Sequence, residues 1–389
     1  MAGFKMIPYG RQDISQADID AVVDVLQSDF LTQGPKVPLF EAAIAEKTGA
    51  EHVVAVNSAT SALHIACLAL GLGPGDWLWT SPITFAASSN CGLYCGAQVD
   101  FVDIDPKTFN LDPKALEAKL VDAEIQGRLP KVVIPVAMCG QAADLKSIRT
   151  LADRFGFAIL EDASHAIGAS YMSKAVGCGL YADISVFSFH PVKIVTTAEG
   201  GAAATNNPHL AQKMELLRSH GITRDTDLMQ GPSDGPWYYQ QVDLGFNYRM
   251  TEVQAALGIS QFDRLEEYVG KRAKIAEYYG SALAHLPLRL PQLADGVRSS
   301  WHLYVIQLQE ASVRKQVFQS MRELGLGVNM HYIPVYRHPY YKALGFRPEN
   351  FPYAEDYYAR SISIPLYPQM GEHSEREVVA AVERVMQGI

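Results

Sequence analysis

Ile184-Ser185-Val186-Phe187-Ser188-Phe189-His190-Pro191-Val192-Lys193 runs on through Thr196-Thr197-Ala198-Glu199-Gly200-Gly201. The apolar and β-branched residues from Ile184 to Phe189 read as a buried strand, and Gly201–Thr205 reads as the next. Between them lies a turn in which Pro191 biases His190 toward an extended backbone. That turn carries one amine, Lys193. Upstream, Ala158–Glu161 reads as a similar strand with Asp162 at its end and His165 three residues on. A carboxylate, a hydroxyl (Ser188) and an amine at successive strand ends describe one edge of one sheet.

Working outward, Val53–Val56, Trp77–Thr80, Val99–Asp103 and Val132–Val136 supply four more strands. Helical spacing falls between them at 15–28, 38–48, 59–71, 112–120, 144–155 and 208–219. Alternating strands and helices predict an α/β fold with a large, mostly parallel sheet covered on both faces. Ligands of such sheets bind at the carboxyl ends of the strands, where these polar residues fall. From Met250 a long helical pattern continues to about Ala284. A smaller α+β region follows, with a strand at 303–308 and helices at 312–324 and 373–386. The expected division is a large domain, 1–250, and a connecting helix with a small domain, 251–389.

Composition narrows the function. The chain has 389 residues, 48% of them hydrophobic and 19% charged, which suits a globular enzyme. A net charge of −9 argues against a nucleic-acid partner, which would call for a basic stripe. The first ten residues lack the apolar core of a signal peptide, and no apolar run reaches the roughly 20 residues of a membrane span. The cytoplasm is the expected location, with no membrane partner. Cys67, Cys91, Cys95, Cys139 and Cys178 have no zinc-type spacing and read as buried thiols, so no metal is expected.

The chemistry follows from the strand ends. Asn57-Ser58-Ala59-Thr60-Ser61 closes a strand and opens a helix, offering free N–H groups, hydroxyls and a positive dipole end to a phosphate. The same residues also suit a plain N-cap. Phe85, after another strand end, is placed either to stack on a flat ring or to fill the core. Asp162 is placed to keep a pyridine nitrogen protonated or to cap a helix, while Glu161 beside it serves the loop. His165 is placed for a cofactor ring oxygen, the substrate or a structural contact. Lys174, at a hairpin tip, and Lys131, ahead of its strand, are the competing amines. A desolvated Lys193 with an acid and hydroxyls nearby is how a protein holds pyridoxal 5'-phosphate as a Schiff base. Gly245-Phe246-Asn247-Tyr248-Arg249-Met250 is either a helix-start loop or a further phosphate contact across a subunit boundary.

Taken in series, six segments resemble the nucleotide-sugar aminotransferases of the DegT/DnrJ/EryC1/StrS family over nearly the whole chain. They are Asn57–Leu63, Pro82–Phe85, Glu161–Ala166, Phe187–Lys193, Ala198–Gly201 and Asn247–Met250. The resemblance implies the type I, aspartate-aminotransferase-like fold of pyridoxal-phosphate transferases and a homodimer with shared active sites. By position it implies Lys193 as the Schiff-base lysine, Asp162 as the pyridine-nitrogen partner and Phe85 as the stacking ring. Ser58, Ala59, Thr60 and Ser188 become phosphate and cofactor contacts, and Asn247 reaches the neighbouring subunit's cofactor.

Leu31-Thr32-Gln33-Gly34, Arg218-Ser219-His220-Gly221 and His331-Tyr332-Ile333-Pro334-Val335-Tyr336 look most like one branch of that family. Its members make UDP-4-amino-4,6-dideoxy-N-acetyl-β-L-altrosamine for pseudaminic acid, with L-glutamate as donor. The branch implies substrate contacts at Tyr9, Asp29, Phe30, Leu31 and Thr32, and at His331, Tyr332, Ile333 and Pro334. Ser188 and Asn247 would join them. Transaminases of UDP-4-keto-arabinose share most of these signatures. Arg224, Arg249 and Arg337 are the candidate partners of the nucleotide diphosphate. Lys193 argues against the related dehydratases, which place histidine there. Lys193 and Asp162 together argue against a ligand-sensing module. The sugar-family motifs oppose an enzyme acting on amino acids alone.

Overall fold

The computed structural model describes residues 6–389. Seven strands form one sheet: β1 (His52–Val56), β2 (Trp77–Thr80), β3 (Gln98–Phe101), β4 (Val132–Ile134), β5 (Ala158–Asp162), β6 (Ile184–Ser188) and β7 (Gly201–Thr205). Their spatial order is β1-β7-β6-β5-β4-β2-β3. β7 runs antiparallel to both neighbours, and the pairings among β2 to β6 are parallel. This is the expected large, mostly parallel α/β sheet.

Strand alternation explains why the sheet is buried on both sides. Val53, Ala55, Val133, Ile159 and Phe187 pack into one apolar cluster. Val54, Val56, Val132, Ile134, Leu160 and Val186 pack into a second on the opposite face. Successive residues of a strand point to opposite faces, so each apolar run feeds both layers. β7 is Gly-Ala-Ala-Ala-Thr, and its small side chains let the covering helix approach closely.

Pairing register sets the site. Asp162 lies opposite Val186, and Gly201 lies opposite both Ser188 and Val56. The ends of β1, β5 and β6 and the start of β7 therefore share one edge. Helices α1 (Gln16–Leu26) and α2 (Lys36–Thr48) precede the sheet; α3 (Ala59–Ala69) and α4 (Ala87–Tyr94) follow β1 and β2.

The long helical pattern after Met250 needs correction. It is two helices, α5 (Glu252–Phe262) and α6 (Leu265–Ala282). Arg264 leaves helical geometry (φ −106°, ψ 9°) and its guanidinium meets the buried carboxylate of Asp18 on α1. Core membership changes inside α6: Leu265 and Val269 join the first sheet cluster, whereas Ile275 and Tyr279 join a third. That third cluster covers an antiparallel sheet built around Tyr304–Leu308 and Ser361–Ile364. The chain's start is tied to this region. Ile7–Pro8 pairs in parallel with Leu326–Gly327, and Tyr9 O accepts from Leu366 N at 3.1 Å.

Candidate active site

At the end of β1, Ser58 caps α3 from an extended backbone (φ −164°, ψ 157°), its Oγ accepting from Ser61 N at 3.1 Å. The cap turns the first N–H groups of α3, those of Ala59 and Thr60, toward a cavity of about 1550 Å³. The N-cap reading of this segment is observed, and it is compatible with a phosphate at the same helix start. Gly201 makes the geometry possible. A Cβ there would lie 2.4 Å from Ala59 N, so only glycine lets β7 pass the helix start.

At the end of β5, Asp162 is 5% exposed. Its Oδ2 accepts from Ser88 Oγ at 2.6 Å, and its Oδ1 from Ser164 N at 3.1 Å. Thr84 Oγ1, 2.7 Å from Ser88 Oγ, extends the relay. Asp162 is a strand residue with a fixed carboxylate rather than a helix cap. Phe85, at the start of this relay, is not a core residue: it is 64% exposed on the cavity wall. Glu161 does not serve the loop. It points to the other face of β5, buried, accepting from Ser185 Oγ at 2.7 Å. Burial, reinforced by Asp162 and opposed by that hydrogen bond, raises its carboxyl to about 7.

Lys193 comes off a tight turn, its N–H donating to His190 O at 2.9 Å. Thr196 Oγ1 and Thr197 N both donate to Phe189 O, at 3.0 Å each, folding the turn back on β6. Burial lowers the Lys193 amine to about 8, against the opposing pull of Asp162. Lys174, by contrast, sits on an exposed hairpin, and Lys131 is paired with Asp76.

Imidazoles crowd the wall beside this amine. His165 Nε2 lies 3.1 Å from Tyr332 OH, and burial pushes His165 well below its ordinary value, with Lys193 and His331 adding to it. Burial likewise lowers His331 to about 4, and its Nδ1 lies 2.8 Å from Ser363 Oγ. His302, which the sequence reading missed, stands 4.3 Å from His165, ring centroid to ring centroid.

One cavity thus brings together Ser58, Ala59, Thr60, Phe85, Asp162, His165, Ser188 and Lys193. Tyr9 reaches it from the chain's start, and His331, Tyr332 and Ile333 from the C-terminal region. Other expected residues do not line it. Asp29, Phe30, Leu31 and Thr32 are exposed on a strap held at α5, where Glu252 N donates to Leu31 O at 3.1 Å. Asn247 is exposed beyond the rim, its backbone O 3.5 Å from Asn57 Nδ2. Pro334 is buried behind the wall, and none of the candidate arginines lines the cavity. Arg337 is paired with Glu355, Arg249 donates to Ser219 Oγ at 3.1 Å, and Arg224 is exposed. Among the described residues of the lining, Lys193 is the one lysine or arginine.

An amine depressed by burial, an anchored carboxylate and a capped helix start open to the cavity share one sheet edge, the arrangement expected of an amino-group transferase. A family model for the DegT/DnrJ/EryC1/StrS aminotransferases matches residues 12–383. The chain belongs to that family.

This aminotransferase is 38% identical over 388 residues to the spore coat polysaccharide biosynthesis protein SpsC of Bacillus subtilis, covering 98% of this chain and 97% of that one. It is 39% identical over 370 residues to a UDP-4-amino-4,6-dideoxy-N-acetyl-β-L-altrosamine transaminase of Campylobacter jejuni, covering 94% and 93%. Helicobacter pylori PseC, an aminotransferase involved in pseudaminic acid biosynthesis, superimposes with a TM-score of 0.90 at 32% identity, covering 99% and 100%. A solved sugar aminotransferase from Streptococcus pneumoniae, 30% identical, exists in PLP and PMP forms. The aminotransferase is accordingly of the pyridoxal-phosphate type, and its own residues fit the group. The α3 start offers two free N–H donors that a Cβ at 201 would crowd out, and buried His165 Nδ1 has no partner among the described residues.

Proposed function

We propose that this aminotransferase moves an amino group from L-glutamate to UDP-4-keto-6-deoxy-L-AcNAc-altrose, giving UDP-4-amino-4,6-dideoxy-N-acetyl-β-L-altrosamine. The observation that carries the reaction type is Lys193, whose amine is held near 8 across the same strand edge as Asp162. An amine in that range can both lose and regain a proton near neutral pH. When bound, pyridoxal phosphate supplies an electron sink for the carbon that loses its proton.

The protein's residues divide the remaining work. Lys193 anchors the cofactor and, once displaced, carries the proton removed from the donor's Cα. Asp162, fixed by Ser88 and Ser164, holds the proton on the pyridine nitrogen. Ser58, Ala59, Thr60 and Ser188 seat the phosphate, Phe85 covers the ring face, and His165 meets the ring's polar edge. Tyr9, His331, Tyr332 and Ile333 bound the space left for the sugar.

The substrate reading rests on the Campylobacter and Helicobacter relatives. The nucleotide diphosphate needs more positive charge than this cavity's own lining supplies. We therefore assign the exposed Asn247 and the Phe30–Thr32 strap to the cavity of a second copy in a homodimer, with Arg224 on the loop beside Asn247. Among the described residues no helix is long and apolar enough to cross a membrane, and the cytoplasm is the proposed location.

A product assay tests the substrate. The enzyme is offered UDP-4-keto-6-deoxy-L-AcNAc-altrose and UDP-4-keto-arabinose with glutamate, and the aminated position is read by NMR. Preferential amination of the arabinose sugar would overturn the substrate while leaving the amino transfer intact.

A further inference from the structure

Arg272 on α6 is fully buried, and no acidic side chain pairs with it among the described residues. Its Nη1 donates to three backbone carbonyls: Trp301 O at 3.2 Å, His302 O at 3.3 Å and Leu366 O at 3.0 Å. A buried guanidinium is costly, so this one has to be judged by what it holds. It holds the segment that joins α6's layer to the catalytic edge. Ser300 N donates to Gly140 O at 3.1 Å, and Ser300 Oγ donates to His165 O at 2.8 Å. Gly140 has φ +97°, and a Cβ there would stand 2.6 Å from Ser300 Oγ and 3.0 Å from His302 N. Backbone contact this close leaves the segment no freedom to slide.

The consequence is the placement of one ring. His302, 4% exposed, lies 4.3 Å from His165 with the planes at 46°. Tyr332 OH holds His165 by its Nε2 edge, so the ring is gripped at an edge and covered on a face. The Nδ1 atoms of both imidazoles are buried without partners among the described residues.

We propose that His302 is a positioning residue for His165, set by Arg272, that keeps water off its face and keeps it uncharged at the cavity wall. The proposal deepens the aminotransferase reading and rests on it. Two charged imidazoles this close, away from water, would repel strongly. Lys193 and His331 act on His165 against a charged ring, His302 and Tyr332 pack on it, and the one carboxylate lining the same cavity, Asp162, is held by Ser88 and Ser164. Arg272 adds its positive charge on the far side of His302. The shifts agree with the geometry, since both rings are pushed well below the ordinary histidine range, mainly by burial. A His165 this reluctant to take up a proton does not compete with the Lys193 amine for one.

The test follows the His165 ring resonances by NMR in the cofactor-loaded enzyme, from pH 5 to 9. In the wild type His165 is expected to stay silent. His302→Ala admits water beside it, and a titration is expected to appear, moving toward the ordinary value of about 6.5. In the same variant kcat should fall roughly tenfold or more, with the glutamate KM nearly unchanged. His302→Phe keeps the ring volume, and its His165 should stay silent. The phenylalanine variant also guards against a result that is mere unfolding. A silent His165 in His302→Ala, or a titrating one in the wild type, overturns the proposal. Failure of the aminotransferase reading looks different: no visible absorbance develops when pyridoxal phosphate is added to the wild type.

Discussion

Ser88 Oγ donates to Asp162 Oδ2 across 2.6 Å, from the first turn of α4 to the end of β5. Both side chains are buried, so the bond is shielded from water and fixes the carboxylate's rotation. A hydrogen bond to a charged group contributes about 1.5–3 kcal/mol, more than an exposed pair would. Ser88→Ala should therefore lower kcat about tenfold or more without abolishing it. Asp162→Ala, which removes the proposed partner of the pyridine nitrogen, should be far more damaging. Equal kcat in Ser88→Ala and the wild type would mean that the carboxylate needs no positioning.

Gly201→Ala tests the phosphate seat. The added methyl would stand 2.4 Å from Ala59 N and 2.5 Å from Ser58 C, both backbone atoms that cannot turn aside. The start of α3 must shift, and pyridoxal-phosphate affinity should drop at least tenfold, about 1.4 kcal/mol. Absorbance titration against the cofactor reads this directly. An unchanged affinity would place the phosphate elsewhere.

Glu252 is fully buried at the start of α5, yet its carboxylate serves a different helix. Oε2 accepts from Lys36 N at 2.6 Å and Oε1 from Val37 N at 3.2 Å, satisfying the opening N–H groups of α2. Glu252→Ala leaves those donors buried and unpaired, which costs on the order of 2–3 kcal/mol. The urea midpoint should fall accordingly, with the glutamate KM unchanged. A midpoint equal to the wild type would show that water replaces the carboxylate without loss.

The lowered histidines should cost the fold stability in acid, while Glu161, raised to about 7 and so protonated earlier in the fold than in the unfolded chain, contributes in the opposite direction between about pH 7 and 4.5. His331 has a folded value of about 4 against 6.5 when unfolded. Between those values the unfolded chain binds the extra proton, so stability falls as pH drops from about 6.5 toward 4. At pH 5 the loss is on the order of 2 kcal/mol from His331 alone, and His165 and His302 are lowered in the same direction. Chemical denaturation of the wild type and of His331→Asn at pH 7.5 and pH 5 measures the histidine's share by difference. In His331→Asn the loss over that interval should shrink.

The sheet was legible because each of its strands is a short apolar run bounded by turn residues, from Val53–Val56 to Gly201–Thr205. The edge residues were legible for a related reason: Asp162 and Ser188 stand at the ends of such runs, and Ser58 and Lys193 in the turns that follow them. What the sequence hid lies in contacts between distant segments. Ser88 reads as an ordinary helix serine until β5 brings Asp162 to it. His302 sits in Ser299-Ser300-Trp301-His302, which carries no local signal, and only Arg272 and Gly140 place it against His165. The break between α5 and α6 contains neither glycine nor proline, so helical periodicity runs through it; the pull of Asp18 on Arg264 is tertiary.

One measurement bears on the central claim most directly. The holoenzyme is reduced with borohydride, digested, and the pyridoxyl-bearing peptide is sequenced by mass spectrometry. The account predicts a single adduct on the peptide containing Pro191-Val192-Lys193, and none in a Lys193→Ala protein, which should also have lost turnover. An adduct on Lys174, Lys131 or any other amine, or normal turnover by Lys193→Ala, would contradict it.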